Sequence, residues 1–172
     1  MRKVKKFKLT SEFIVDISGV KLFRIKALIE FGNVKAGDLG GYIEKEENLS
    51  HMGNAWVSGN AQVSGDARVF GNAQVFGDAR VFGNAWVSGD AWVSGNAQVS
   101  GDKDYAYAHG FGSCNRTTTF FRLKDGDVGV RCGCFYGTLA QFRDNVCETH
   151  GETKKAQEYL MLADLMDFRF KN

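Results

Sequence analysis

The sequence predicts a mainly β protein built around a parallel β-helix, and three observations carry the prediction. Residues 53–100 repeat one six-residue phrase eight times without insertion: GNAWVS, GNAQVS, GDARVF, GNAQVF, GDARVF, GNAWVS, GDAWVS and GNAQVS. A fixed hexapeptide period is the mark of a β-solenoid. Within each phrase Ala and Val stand two apart, so in an extended segment they face one way while Gln, Arg or Trp between them faces the other. Each phrase opens on Gly followed by Asn or Asp, residues that tolerate left-handed backbone angles and therefore make corners. One hexad is a short strand plus a corner, and proline, which ladders do not accommodate, is absent from all 172 residues.

The flanking segments follow in order. Residues 1–31 alternate in strand fashion, through Phe13, Val15 and Ile17 and then Phe23, Ile25 and Ala27, with Ser18-Gly19 as the turn between. This reads as a hairpin capping the N-terminal end of the solenoid. Residues 32–102 form the repeat region. Its first part, to residue 52, is a degenerate turn in which Leu39, Gly41 and Ile43 alternate inward and the hexad phase slips before Ala55. Residues 103–172 form a small α+β module. Residues 117–123 and 128–135 flank Lys124-Asp125-Gly126-Asp127, a hairpin signal. Thr138 is placed to cap a helix whose Leu139, Phe142 and Val146 share a face. His150-Gly151 ends it, and a second helix runs through Ala156, Tyr159, Leu160, Ala163 and Met166, giving a ββαα order.

The hexads resemble the left-handed parallel β-helix of the hexapeptide-repeat family, and residues 57–62 (VSGNAQ) fit its frame with Gly one place late. The resemblance implies three hexads per turn, so that residue i lies over i+18, and a left-handed coil. Eight hexads then make somewhat under three turns, with a core open at both ends that needs caps. Stacking by eighteen sets the corners in the columns Asn54–Asn72–Asp90, Asn60–Asp78–Asn96 and Asp66–Asn84–Asp102. No Asp lies on another Asp; at the ~4.8 Å spacing of adjacent strands two carboxylates repel, whereas Asn beside Asp shares a hydrogen bond.

Nearly the whole chain resembles proteins commonly encoded by phages and prophages. In these a lead-in like residues 35–50 (KAGDLGGYIEKEENLS) precedes GNAxV/GDAxV hexads, and some carry a tail like residues 117–151, with the stretches TTTFFRLKDG and CGCFYGTLAQF. Such proteins are often labelled transferases on repeat similarity alone, and fold analogy is a weak warrant for activity. The resemblance and its genomic setting imply a different role: a cytoplasmic protein that blocks a host machine, for example an antiviral defence complex, in the manner of an anti-CRISPR. Trimers are frequent among relatives, so a homo-oligomer, trimer or dimer, is a further expectation.

The residues themselves favour binding over catalysis. Outward strand positions stack as Trp56–Gln74–Trp92, Gln62–Arg80–Gln98 and Arg68–Trp86, while Phe70, Phe76 and Phe82 take successive corners. An Ala/Val core needs none of these, and exposed Trp, Phe and Arg are the residues that anchor protein interfaces. Trp56, Arg68, Phe70, Phe76, Arg80, Phe82, Trp86 and Trp92 are therefore the candidate partner-binding residues. The competing readings are that the rings shield neighbouring rungs or make a contact between copies. The runner-up function is an acyltransferase with an interfacial His as general base, but the hexads contain no His and no extruded loop, leaving only His51, His109 and His150 around them.

No metal or other cofactor is expected. Cys132, Cys134, Cys147 and His150 have ligand chemistry that zinc accepts. However, Cys132 and Cys134 fall on the apolar side of the second strand and Cys147 beside Val146 on the apolar side of its helix, where Cys behaves as a small hydrophobe. Four cysteines without a secretion signal suggest reduced thiols in the cytosol. The basic stretch at residues 1–8 is followed by no apolar region, so no signal peptide is read, and no membrane-length apolar run occurs. Net charge is only +2, which gives no global nucleic-acid or membrane signature. The basic N-terminus (Arg2, Lys3, Lys5, Lys6, Lys8) could reach phosphates, but edge-strand lysines that discourage aggregation explain it as well. Asp66, Asp78 and Asp90 are too few, and too offset by Arg68 and Arg80, to mimic a duplex.

Overall fold

The computed structural model describes residues 4–112 and 114–171. Each hexad forms a two-residue strand: β4 (Trp56–Val57), β5 (Gln62–Val63), β6 (Arg68–Val69), β7 (Gln74–Val75), β8 (Arg80–Val81), β9 (Trp86–Val87), β10 (Trp92–Val93) and β11 (Gln98–Val99). Pairing is parallel, with Trp56 opposite Gln74, Gln74 opposite Trp92, Gln62 opposite Arg80 and Arg68 opposite Trp86. The offset of eighteen makes three hexads per turn and divides the solenoid into three faces. Every hexad Ala and Val is at most 1% exposed, so the interior is a closed stack of small aliphatic side chains. Each corner Gly has positive φ, and at Gly77 (φ 70°) a Cβ would lie 3.0 Å from the Gly95 nitrogen. No L side chain fits there without displacing the next turn. Beside the glycines, Asn60 Nδ2 donates to Asp78 Oδ1 at 3.2 Å and Asn72 Nδ2 to Asp90 Oδ1 at 3.0 Å, as the column arithmetic predicts. Asp66 is met instead by Lys45 Nζ at 2.9 Å.

The N-terminal hairpin is present as β1 (Phe7–Val15) and β2 (Lys21–Ala27), turning through Ser18-Gly19, but it is continuous with the solenoid rather than laid across it. β2 pairs antiparallel with β3 (Leu39–Ile43), and β3 pairs parallel with β5, so one face is the sheet β1-β2-β3-β5-β8-β11. Gly40 and Gly41 allow this junction. A Cβ on Gly40 would meet the Val57 carbonyl at 2.6 Å, and one on Gly41 the Ala61 carbonyl at 2.6 Å. Gly41 and Ile43 are buried, but Leu39 is 52% exposed, a correction to the inward alternation expected of it: β3 begins at the sheet margin, opposite Lys26. The lead-in turn is two residues longer than a regular one, since Tyr42 pairs with Gln62 and Leu49 with Val69, an offset of twenty. The offset returns to eighteen at Trp56, so the surplus lies just after Leu49, around His51 and Met52.

The C-terminal module contains the predicted hairpin and both helices, with two strands beyond those expected: β12 (Tyr105–Phe111), β13 (Arg116–Arg122), β14 (Val128–Cys132), β15 (Phe135–Thr138), α1 (Leu139–His150) and α2 (Lys154–Phe170). Thr138 caps α1 in a reciprocal box with Gln141, and Gly151 ends it. The sheet β12-β13-β14-β15 is covered on both faces. Phe120, Val128 and Val130 pack with the helices, whereas Phe121, Leu123 and Tyr105 join the solenoid core. Residues alternate across β13 with period two, so this one strand closes the end of the solenoid and carries the helices behind it. Among the described residues no helix is long and apolar enough to cross a membrane.

Both open ends of the coil are capped by specific groups. At the N-terminal end Lys6, 1% exposed, donates its ammonium to the carbonyls of Ala55 (2.7 Å) and Gly53 (3.3 Å) and lies 4.6 Å from the Phe31 ring. Asn48 Nδ2 donates to the carbonyls of Ala67 (2.9 Å) and Gly65 (3.1 Å). At the C-terminal end Trp86 N–H donates to Asp102 (3.2 Å), Trp92 N–H to the Thr119 hydroxyl (2.9 Å) and Ser100 N–H to Asp104 (2.9 Å). The Tyr105 hydroxyl donates to the Trp86 carbonyl.

Two predictions follow from this packing. Val75→Asp places an unpaired charge in the middle of the Ala/Val stack and is expected to leave no folded, soluble protein; a soluble mutant melting at the wild-type temperature would refute the register. Burial pushes the Lys6 ammonium down to about 8. Its pKa is lower folded than unfolded, so the unfolded chain holds this proton longer. The Lys6 contribution to stability therefore rises as pH climbs from about 8 toward ~10.4, the unfolded lysine value. Denaturant titrations of wild type and Lys6→Met at pH values spanning that window should show the wild-type advantage growing with pH, and a flat difference would contradict it.

Candidate binding surface

The solenoid distributes the eight candidate residues over three faces, because a period of six and a turn of three hexads send successive outward residues in three directions. They do not form one patch. On the face β4-β7-β10, Trp56 points away from the coil interior yet is only 4% exposed. Phe31 packs against it edge-on at 5.3 Å, and Gly40 leaves room for its ring. This corrects the expectation of an exposed Trp56: the N-terminal segment folds over it. Further along that face Trp92 meets Phe76 edge-on at 6.0 Å, and Arg131 from β14 lies 5.7 Å from Trp92 and 5.5 Å from Phe76. On the face extended by β3, Arg80 lies 6.0 Å from the Phe82 ring and 3.9 Å from Asp16 of the N-terminal turn. Much of the aromatic display therefore covers neighbouring rungs, as the shielding alternative expected.

On the third face β6 and β9 form a two-stranded sheet continued by the Leu49–Val69 bridge, and its outward residues Arg68 and Trp86 stay exposed, Trp86 at 51% beside 42% for Trp92. Arg68 lies 5.9 Å from the Trp86 ring, and Phe70, at the corner, meets the same ring edge-on at 6.0 Å. A Phe packs on a Trp sixteen residues later, one turn on and two residues back, which is why the same pair recurs as Phe76–Trp92. Beside this cluster opens a groove of about 730 Å³ whose apolar wall is Val4, Ile29, Leu49, Met52, Phe70 and Trp86. The surplus residues His51 and Met52 of the long lead-in turn create its upper rim, a feature the hexad arithmetic had no means of supplying.

The polar rim is ordered. His51 stacks on Phe7 at 4.3 Å, its Nδ1 accepts the Lys6 N–H at 3.1 Å, and its Nε2 lies 2.7 Å from Glu46 Oε1. An Nδ1 that accepts leaves the ring proton on Nε2 for Glu46, so both nitrogens are engaged. Lys5, at 2.9 Å, holds the Glu46 carboxyl below the usual carboxylate range, with help from His51 and against the opposing effect of burial. Glu47 lines the same groove and is exposed. Of the basic N-terminal residues, then, Lys6 is buried and Lys5 is paired; Arg2 and Lys3 lie outside the described residues. His109 Nδ1 lies 2.8 Å from the Thr117 hydroxyl, and His150 stacks on Tyr159 at 5.8 Å.

The cysteine positions are corrected in part. Cys132 lies among the helix-side core, receiving the Thr118 hydroxyl at 3.2 Å. Cys134 sits exposed in the tight turn after β14, because that strand ends at Cys132, and Cys147 is exposed on α1. Among the described residues no three His, Cys, Asp or Glu side chains are gathered to hold a metal. Burial, followed by Cys132, pushes the nearby Tyr159 phenol upward.

The family described as YdcK Beta solenoid repeat matches residues 61–75 and 73–89. The matched spans hold β5 to β9, so the likeness concerns the coil and leaves the lead-in and the C-terminal module outside it. No curated protein matches the chain.

The two tryptophans should respond differently to truncation. Trp56→Ala opens a hole under Phe31 and is expected to cost about 3–5 kcal/mol, whereas Trp86→Ala on the open face should cost about 1 kcal/mol or less. Denaturant unfolding of both variants checks this; equal losses would contradict the assignment of buried and free faces.

Proposed function

We propose that this chain is a non-enzymatic binding protein of phage or prophage type, in which a rigid solenoid presents the face of Arg68, Phe70 and Trp86 to a host macromolecule. The target class is an antiviral defence complex. The observation that carries the reading is the open groove beside Trp86. Its wall is apolar and aromatic, its charged rim is already ordered, and Arg68 stands at its margin. Large rigid rings next to a guanidinium contribute contact area at low entropic cost. The solenoid core behind it is filled by Ala and Val and offers no cavity for chemistry. The phage setting and the host target rest on the resemblance of the lead-in, the hexads and the tail.

The acyltransferase alternative needs an imidazole free to take a proton from an acceptor. His51 is the histidine that borders the groove, and its two nitrogens are occupied by Lys6 N–H and Glu46. His109 and His150 line neither this groove nor the smaller one beside Trp92.

A tagged pull-down from a bacterial host, run in parallel with an Arg68→Ala/Trp86→Ala double variant, tests the proposal. A host protein retained in stoichiometric amount by wild type should be lost by the variant, because truncated anchor residues typically cost ~2 kcal/mol or more each. Acetyl-CoA should leave the melting temperature unchanged. Retention by both proteins, or clear stabilisation by acetyl-CoA, would overturn the reading.

A further inference from the structure

The outward column Trp56–Gln74–Trp92 runs along the face β4-β7-β10, and its middle member is the smallest. At one end Trp56 is roofed by Phe31, which is locked to Val34 by backbone hydrogen bonds of 3.0 and 2.8 Å. At the other end Trp92 stays 42% exposed. Gln74 does not fill the interval, because its Nε2 donates to the carbonyls of Asn54 (2.8 Å) and Asn72 (3.3 Å) and draws the side chain toward the corner. A notch of about 390 Å³ is left between the loop at residues 32–34 and the Trp92 ring. The two rung spacings of ~4.8 Å from Trp56 to Trp92 set its length at about 10 Å.

The polar lining of the notch is amides and one carboxylate. Asn72 Nδ2 donates to Asp90 Oδ1 at 3.0 Å, which leaves a second Asn72 N–H, Asn72 Oδ1 and Asp90 Oδ2 for a ligand. Gln74 uses its N–H groups on the two carbonyls and keeps Oε1 as an acceptor. Asn33 and Asn54 border the same space and are exposed. Donors and acceptors are thus interspersed, an arrangement that hydroxyl groups, each donor and acceptor at once, satisfy. The apolar part of the lining is aromatic. Phe76 meets Trp92 edge-on at 6.0 Å, and Arg131 lies 5.7 Å from the same ring, so the platform is held before any ligand arrives.

We propose that this notch binds a neutral saccharide, with the apolar C–H face of a pyranose ring on Trp92 and its hydroxyls bonded by Asn72, Gln74 and Asp90. The length takes one or two rings. Two observations set other ligand classes aside. Among the described residues that line the notch there is no lysine or arginine, so a phosphate meets no counter-charge and faces Asp90 instead. The ladder N–H groups of Asn72, Gln74 and Phe76 already donate to the carbonyls of Gly89, Ala91 and Val93, so no strand edge is open to an extended peptide. The site goes beyond the host-binding reading: it lies on a different face of the coil from Arg68 and Trp86 and uses none of the residues of that groove.

The test titrates the whole chain with cellobiose, maltose and diacetylchitobiose, followed by saturation-transfer NMR and tryptophan fluorescence. At least one of the three should bind with a Kd on the order of 1 mM. Trp92→Ala and Asp90→Ala, each checked for an unchanged circular dichroism spectrum, should weaken that binding by about tenfold or more; Gln74→Ala replaces either variant that fails to fold. Gln98→Ala removes an amide from another face and should bind like wild type. Absence of binding by all three saccharides overturns the proposal, as does binding that survives both notch variants. AMP or trialanine binding more tightly than every saccharide overturns it too, the first marking a nucleotide site and the second a peptide site.

Discussion

A coil of two-residue strands has no lateral edges to protect, but it has two ends, and each end leaves backbone groups that the next turn would have satisfied. That constraint governs everything outside the hexads. Buried backbone groups left unpaired cost about 1–3 kcal/mol each, and under three turns of coil cannot dilute two such ends. The N-terminal end is met by donors: the Lys6 ammonium on the Gly53 and Ala55 carbonyls and the Asn48 amide on those of Gly65 and Ala67. At the C-terminal end Asp102, Thr119 and Asp104 accept N–H groups, and the Tyr105 hydroxyl donates to a carbonyl. The caps are then themselves secured. Arg122 donates to Asp104 at 3.1 Å, and His51 and Phe31 hold the Lys6 segment in place. The flanking segments are thus the completion of the ladder.

The repeat region was legible from residues 53–100 because its information is periodic. Ala and Val positions, the eighteen-residue register and the Asn–Asp corner contacts all follow from one six-residue phrase. What escaped is aperiodic. A lysine in a basic run reads as solvated, and only the unmet carbonyls of Gly53 and Ala55 make Lys6 a buried cap. Trp56 belongs to the same outward column as Trp92, yet one is roofed by Phe31 and the other is not. That difference is decided by where residues 31–41 return, which no repeat encodes, although the Gly40-Gly41 pair was a visible sign of close backbone approach. In the sequence the apolar alternation runs on through Gly133 to Phe135 and puts Cys134 on a strand face, whereas β14 ends three residues earlier, at Cys132. In the tail, β12 and β15 carry little strand signal because Gly110, Gly112 and Gly137 weaken the pattern of their sequences.

The candidate surface was half legible for the same reason. Listing Trp, Phe and Arg by outward position finds residues that leave the core, but it does not distinguish a ring that covers a rung from one that is available. On the face of Trp92, Phe76 and Arg131 lie against a ring that stays 42% exposed; on the face of Arg80, Phe82 and Asp16 engage the guanidinium. On the face of β6 and β9 the surplus His51-Met52 corner stands beside Phe70 and Trp86 and turns a flat ladder into a groove.

The repeat also limits where recognition can occur. A surface generated by a six-residue phrase repeats its corner chemistry at every rung, and the outward residue changes from one turn to the next, as from Arg68 to Trp86. A second source of distinction is a position where the period breaks. The lead-in provides the break, since its offset of twenty against eighteen leaves Met52 exposed over the buried Leu49 at the rung before Phe70. Glu46, held by Lys5 and His51, and the exposed Glu47 are carried at that same level by the 3-10 turn that also positions the Asn48 cap. Capping the end of the coil and marking a unique site on it are therefore done by the same stretch of chain, and a change that loosens the cap must also disorder the groove.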